Sequence, residues 1–452
     1  MHIKVLQQRY RKTALLVLVG TAIIIGLCVR TQNLGALHPF ENDEQSWLLM
    51  GTSLLQQGIP VSWTVFWDKY PTTEIFRYGG LEQLVVTPFL DHPPLFGLFI
   101  GAWAALTGNN TYRPLDWMAL RMPMIALAMG TILFTGLFIN KLFHSTLASV
   151  TAIVFLFFPA HIVASRFIAA EHAIAFLFML SLYVFAVFDS ENNKNTPKAA
   201  LCITIIALCS GMAILLKLSG IVLPATIIFL SLFRKNWLLL GVTLLATSIS
   251  ISLFLLYGNY YDWGIFTSVL SGHSTRPQSF WHFWSIFTQM DIGNFTMRDP
   301  SFIAGMIGLF TLLTNTNIAW EKRLTLFVPL LNLSLLFLFV APVESYGWYK
   351  FIWFPFLAIG LGYVFTELWR GMVAYYVLIL PFIASMLEQS MFIEAHSHRK
   401  IWLLAFYGFV AFSILLQHYV PKIKILPLAF GISIAFLFFL ELAWVNTLIP
   451  VY

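Results

Sequence analysis

The chain has 452 residues, 59% of them hydrophobic and only 10% charged, with a mean hydropathy of +0.80. Soluble domains carry about 25% charged residues, so this much apolar surface excludes a water-facing fold and makes lipid the solvent. The net charge of +6 reports the orientation of loops across a membrane; no nucleic-acid partner is expected.

The segment from His2 to Lys12 is basic and leads into a first apolar run, 13–30. No small-x-small cleavage site follows, and Leu27 before Cys28 is too large for lipoprotein processing. The run therefore reads as an uncleaved span with its N-terminus in the cytoplasm. Further runs near the crossing length of about 20 residues lie at 117–140, 146–163, 172–188, 199–215, 220–233, 237–257, 301–314, 324–341, 350–368, 371–388, 401–418 and 426–447. The expected fold is an all-α polytopic membrane protein of about thirteen transmembrane helices. Cys28, Cys202 and Cys209 all fall inside apolar runs, without the spacing of a zinc site.

The stretch 93–108 is apolar but short. Loop charge decides its placement. If it does not cross, Lys141, Lys194, Lys198, Arg234, Lys235, Lys322, Arg323, Arg370, Lys422 and Lys424 all fall on the cytoplasmic side, as basic loops should. It is then an interfacial helix within one large outer loop, 31–116. A second outer segment runs from 258 to 300, and shorter ones cover 164–171, 216–219, 342–349 and 389–400. The chain divides into a module of residues 1–257, the outer segment 258–300, and C-terminal spans 301–452 without a soluble domain. There is no internal repeat.

On this topology the unusual ionisable groups gather at the outer face. The acids are Asp43, Glu44, Asp91 and Glu171, and the bases Arg77, Arg121, Arg166, Lys217, Arg276 and Lys350, joined by His92 and His273. Ionisable groups at membrane depth are costly and default to function. Some have plainer accounts. Lys69, Arg77 and Glu82 sit in a polar loop and read as solvated. Arg121 and Lys350 lie at span ends, where snorkelling accounts for them. Glu171 has a ready ion-pair partner in Arg166, five residues earlier. Lys217 has no acid near it in sequence and wants an anion.

A cationic ring around a pair of carboxylates suits glycosyl transfer from a lipid-linked sugar phosphate. Fixed positive charge stabilises the departing phosphate, and a carboxylate takes the proton of the incoming hydroxyl. The spans offer a groove for a lipid tail. The outer-loop aromatics, among them Trp47, Trp63, Trp67, Tyr70, Tyr260 and Trp263, read first as an interfacial belt and second as surfaces for sugar stacking.

Several pieces resemble a known family. Asp43-Glu44 follows the first span, then comes Asp91-His92-Pro93-Pro94-Leu95, then Ala119-Leu120-Arg121-Met122-Pro123. Phe158-Pro159-Ala160 leads to Ser165-Arg166 and Ala170-Glu171, followed by Leu216-Lys217-Leu218-Ser219-Gly220. Their order and spacing resemble the dolichyl-phosphate-mannose protein mannosyltransferases and the bacterial lipid A aminoarabinose transferases, members of the GT-C superfamily. The likeness covers about the first half of the chain and continues more thinly through His273-x-x-Arg276 and the stretch from Tyr346 to Pro355.

The resemblance implies a GT-C fold, a polyprenyl-phosphate sugar donor and an inverting transfer outside the cytoplasmic membrane. Asp43 would be the catalytic carboxylate, with Glu44 and Asp91 beside it in the catalytic group. Lys217, His273 and Arg276 would contact the donor phosphate, helped by His92 and Arg166. Glu171, Tyr346, Tyr349 and Lys350 would bind substrate. A divalent cation, if one takes part, would fall to Asp43 and Asp91; no other cofactor is implied. The chain departs from the aminoarabinose transferases at Gln45-Ser46, where they carry Pro-Arg, and at His92, where they carry a lysine. These departures leave the sugar open. Relatives often carry a soluble domain after the spans, so its lack here favours a lipid or membrane-proximal glycan acceptor over a large protein. Two other readings stand beside this one: a secondary transporter, and a polymerase or ligase of cell-surface glycans using a diphosphate-linked donor.

Overall fold

A computed structural model describes residues 20–32, 34–35, 42–78, 81–109, 115–143, 147–191, 193, 196–275, 289–292, 295–298, 301–339 and 347–370, with single positions 408, 412 and 419. The expected spans at 371–388, 401–418 (but for 408 and 412) and 426–447 lie outside the described residues, as do Arg276 and Tyr346.

The helices in chain order are α1 (Gly20–Thr31), α2 (Asn42–Gln57), α3 (Leu95–Leu106), α4 (Trp117–Phe143), α5 (Leu147–Leu156), α6 (Pro159–Ala164), α7 (Ala170–Asp189), α8 (Pro197–Leu216), α9 (Val222–Phe233), α10 (Trp237–Tyr261), α11 (Trp263–Ser274), α12 (Ser301–Thr314), α13 (Trp320–Phe339) and α14 (Phe354–Trp369). Among the described residues, α4, α7, α8 and α10 are long and apolar enough to cross a membrane. Helix α10 shows that lipid is the solvent. It hides Thr243, Ser250 and Gly258 and turns Leu245, Ile249, Leu253 and Leu256 outward, the reverse of a water-facing helix.

The ends of the helices sort into two sets. At one end Arg234, just past α9, reaches Asp189 of α7 at 3.2 Å and the Glu321 carbonyl of α13 at 3.1 Å. At the other, the starts of α2, α4 and α7 meet the end of α8. The basic loops after α7 and α9 and before α13 thus share one side and the acid-bearing ends the other.

Expected span 146–163 is broken in two. Pro159 starts a new helix after Phe157-Phe158, so the last carbonyls of α5 lose their intrahelical partners. Arg30 fills that gap. It is fully buried and donates to the Leu156 carbonyl at 2.7 Å, to its own helix at Gly26, and to His161 Nδ1 at 3.1 Å. A guanidinium at a helix C-terminus is held by the helix dipole. Arg166 does the same for α1, donating to the Val29 carbonyl. The expected span 220–233 likewise opens with a 3₁₀ turn, Leu218–Ile221.

The segment between α1 and α4 holds α2, α3 and a small sheet. Its strands are β1 (Ser62–Trp63), β2 (Thr73–Tyr78) and β3 (Leu81–Val86), antiparallel in the order β1-β3-β2. A hairpin of β4 (Gln289–Ile292) and β5 (Phe295–Arg298) follows α11. The membrane part is helical as expected; these strands are an addition that apolar-run counting does not see. Helix α3 has 12 residues, about 18 Å at 1.5 Å per residue against a hydrocarbon core of about 30 Å. It does not cross. It lies on α2, where Gly51 meets Gly97 and Gly101 so closely that a Cβ on Gly51 would overlap the Gly97 carbonyl.

Candidate active site

Helix α2 begins with Asn42-Asp43-Glu44, acids in the first turn where the helix dipole favours them. Glu44 turns inward and is 1% exposed. Its Oε1 accepts from Arg121 Nε at 3.0 Å and from the Ile168 backbone N–H at 2.9 Å, and its Oε2 accepts from Arg121 Nη2 at 2.7 Å. Arg121 Nη1 goes on to the Leu34 carbonyl at 3.0 Å. A fork-on-fork pair of this kind fixes both partners in plane. Arg121 is therefore no snorkelling residue: it is 1% exposed and pins the start of α2 to α4 and to the segment before α7.

Lys217 has the anion it needed. It follows α8 in an extended conformation, and its Nζ lies 2.6 Å from Glu171 Oε1, with Tyr349 below at 4.6 Å from the ring centre. Burial alone would lower its pKa; Glu171, Tyr349 and Asp43 together outweigh that and raise it, so the ammonium stays charged. Glu171 does not pair with Arg166, as the local spacing suggested, because helix α7 turns it toward α8. Its second oxygen, Oε2, is buried without a hydrogen-bond partner. Lys350 is also misread as snorkelling: it is 2% exposed and sits 5.7 Å from the Phe302 ring centre.

Asp43, Glu44, Glu171 and Lys217 line one small cavity, closed by Trp47, Phe167, Ile168 and Ala169. Its volume is about 10 Å³, room for at most one water-sized group. Trp47 connects it to a second group. The His92 ring stacks on Trp47 at 4.9 Å and 20°, and His273 approaches His92 at 5.9 Å. Helix α11 delivers His273, which meets the Phe66 ring edge-on at 4.5 Å. The first and second outer segments thus join at the two histidines.

Asp91 is buried outside that cavity. Its carboxylate accepts from Thr64 Oγ1 and, at 2.6 Å, from Tyr70 Oη, which itself accepts from the Leu90 N–H at 3.1 Å. Burial and then the Asp91 charge push the Tyr70 phenol up, so it stays a donor. Ser46, in the position where the sequence departs from the aminoarabinose transferases, bonds Ser62 Oγ at 2.6 Å and ties α2 to β1. Among the described residues no three His, Cys, Asp or Glu side chains converge on a metal-sized site; Asp91 does not line the cavity that holds Asp43. Trp47, Arg121, Thr64 and Tyr70 were not singled out as site residues from sequence. Arg121 reads there as a snorkelling span end and Trp47 and Tyr70 as part of an aromatic belt; Thr64 carries no signal.

Residues 87–288 match the family model of the Dolichyl-phosphate-mannose-protein mannosyltransferases. No curated protein matches the chain by sequence. The chain superposes on ArnT from Cupriavidus metallidurans in the apo state with a TM-score of 0.61 at 16% identity, over 97% of this chain and 78% of that one. The same protein bound to undecaprenyl phosphate gives 0.62 at 16% identity, over 96% and 77%. The GT-C fold is present. Archaeal oligosaccharyltransferase AglB from Archaeoglobus fulgidus, solved with an inhibitory peptide and a dolichol-phosphate, shares it at a TM-score of 0.55 and 12% identity, over 97% of this chain and 56% of that one. The matched family region includes α4, α7, α8 and α11, and hence Arg121, Glu171, Lys217 and His273. The chain is an integral, multi-pass membrane protein.

Proposed function

We propose that this protein is an inverting glycosyltransferase that moves a sugar from a polyprenyl-phosphate donor to a hydroxyl of a lipid or membrane-proximal glycan on the outer face of the cytoplasmic membrane. The observation that carries the reading is that a carboxylate, Asp43, and a buried ammonium, Lys217, from opposite ends of the first module line the same cavity. One supplies a base, the other a fixed positive charge. The likeness to a fold solved with undecaprenyl phosphate supports the donor class.

In the reaction an acceptor oxygen attacks the anomeric carbon from the face opposite the phosphate. The carbon–oxygen bond to phosphate breaks, with its electron pair leaving on the phosphate, and the acceptor proton passes to Asp43. Glu44 does not compete for that proton, because Arg121 and Ile168 N–H occupy its oxygens. Lys217 stabilises the departing phosphate, with His92, His273, Arg166 and Arg276 as further donors. Tyr349, Lys350, Tyr346 and the open oxygen of Glu171 bind the sugar or acceptor. Asp91 contributes by holding the loop between β1 and α3.

Mass spectrometry of surface lipids and glycans from cells with and without the protein tests this. A mass difference of one sugar that returns with the wild-type chain but not with Asp43→Asn is expected. Identical profiles in all three strains would remove the reading. Supplying monophosphate-linked against diphosphate-linked donors to the purified protein separates a transferase of this type from a polymerase or ligase.

A further inference from the structure

We propose that Glu171 is a release residue: its carboxylate competes with phosphate for Lys217 and so lets the spent lipid phosphate leave. The inference rests on the donor class proposed above. At rest Lys217 is already neutralised, with Nζ 2.6 Å from Glu171 Oε1 and both side chains under 10% exposed. The contact is one-sided, since Glu171 Oε2 has no hydrogen-bond partner. The cavity the pair shares with Asp43 is about 10 Å³, too small for a phosphate unless its lining moves. A donor phosphate therefore meets Lys217 by drawing it away from Glu171.

Glu171 can give up the lysine because it stands in the first turn of α7, whose N-cap, Ala169, supplies no side-chain cap. The positive end of that helix supports a carboxylate there. The charges on the two lipids then set the direction. The sugar-linked donor is a phosphodiester with one negative charge. The product is a phosphomonoester approaching two at neutral pH. A lysine without a competing acid would hold the product more tightly than the donor and stall the enzyme after one turnover. Glu171 offsets that excess by reclaiming Lys217.

The test is equilibrium binding of undecaprenyl phosphate to the detergent-solubilised full chain. Wild type is compared with Glu171→Gln, Lys217→Gln and the double variant. Glu171→Gln should bind undecaprenyl phosphate at least about tenfold more tightly, in keeping with close charge pairs at interfaces. Lys217→Gln should bind it more weakly, and the double variant should match Lys217→Gln. A merely structural role for Glu171 would weaken binding and never tighten it. Where Glu171→Gln does not fold, Glu171→Asp keeps the charge but withdraws the carboxylate, and it too should bind more tightly than wild type. A folded Glu171→Gln protein that binds no more tightly than wild type overturns the inference while leaving the donor class standing. Absence of binding in every protein overturns the donor class, and this inference with it.

Discussion

Asp43 and Glu44 are neighbours with opposite fates. Both line the cavity, but Glu44 is buried and locked by Arg121 and Ile168, and Asp43 is half-buried. Asp43→Asn should cut turnover by about 10²–10⁴-fold, the usual worth of a general base, while the thermal melt of the purified protein stays near that of wild type. Glu44→Gln should do the opposite. Removing one member of a buried pair leaves the other uncompensated and costs about 3–5 kcal/mol, read as a lower melting temperature. Adding Arg121→Met should return much of that stability, because the unpaired charge goes with it. If the double variant melts no higher than Glu44→Gln, the pair is not what holds the start of α2.

At the scale of elements, the position of Asp43 depends on α2, and α2 rests on α3 through three glycines. Gly51→Val would drive a side chain into the backbone of α3 at Gly97. The helices must then separate, so activity should fall although no charged group has changed. An overpacked contact costs about 1–3 kcal/mol; a variant with wild-type turnover would show that α3 does not position the site. The sheet side of the loop relies on Asp91. Tyr70→Phe removes one donor from a buried carboxylate and should cost about 1–3 kcal/mol, measured by thermal unfolding. Elements were legible where a run was long and unbroken, as in α4, α7, α8 and α10. The break between α5 and α6 was not, because Phe157 and Phe158 continue the apolar pattern and the proline alone does not say whether a helix kinks or stops.

For the whole molecule, the arrangement of charge fixes two faces. The Arg234 contacts to α7 and α13 lie at one end and the acid site at the other. In a cysteine-free background, Ser190→Cys and Leu106→Cys should label with a membrane-impermeant thiol reagent from opposite sides, Leu106→Cys from outside in intact cells. Labelling of both from one side would refute the two-faced arrangement, and labelling of Leu106→Cys only from inside would move the site to the cytoplasm.

Composition and hydropathy by themselves determined that the solvent is lipid, where many of the spans run, and that basic loops gather together, because each depends on a local sum over neighbouring residues. The order of short motifs also carried the family likeness. Pairing did not follow from sequence. Glu171 had Arg166 nearby and took Lys217 on another helix; Arg121 passed for a snorkelling end and proved to be the buried partner of Glu44. Buried charges find partners through space, across helices whose rotation and depth are set by packing, so only the tertiary structure decided which base each buried acid meets.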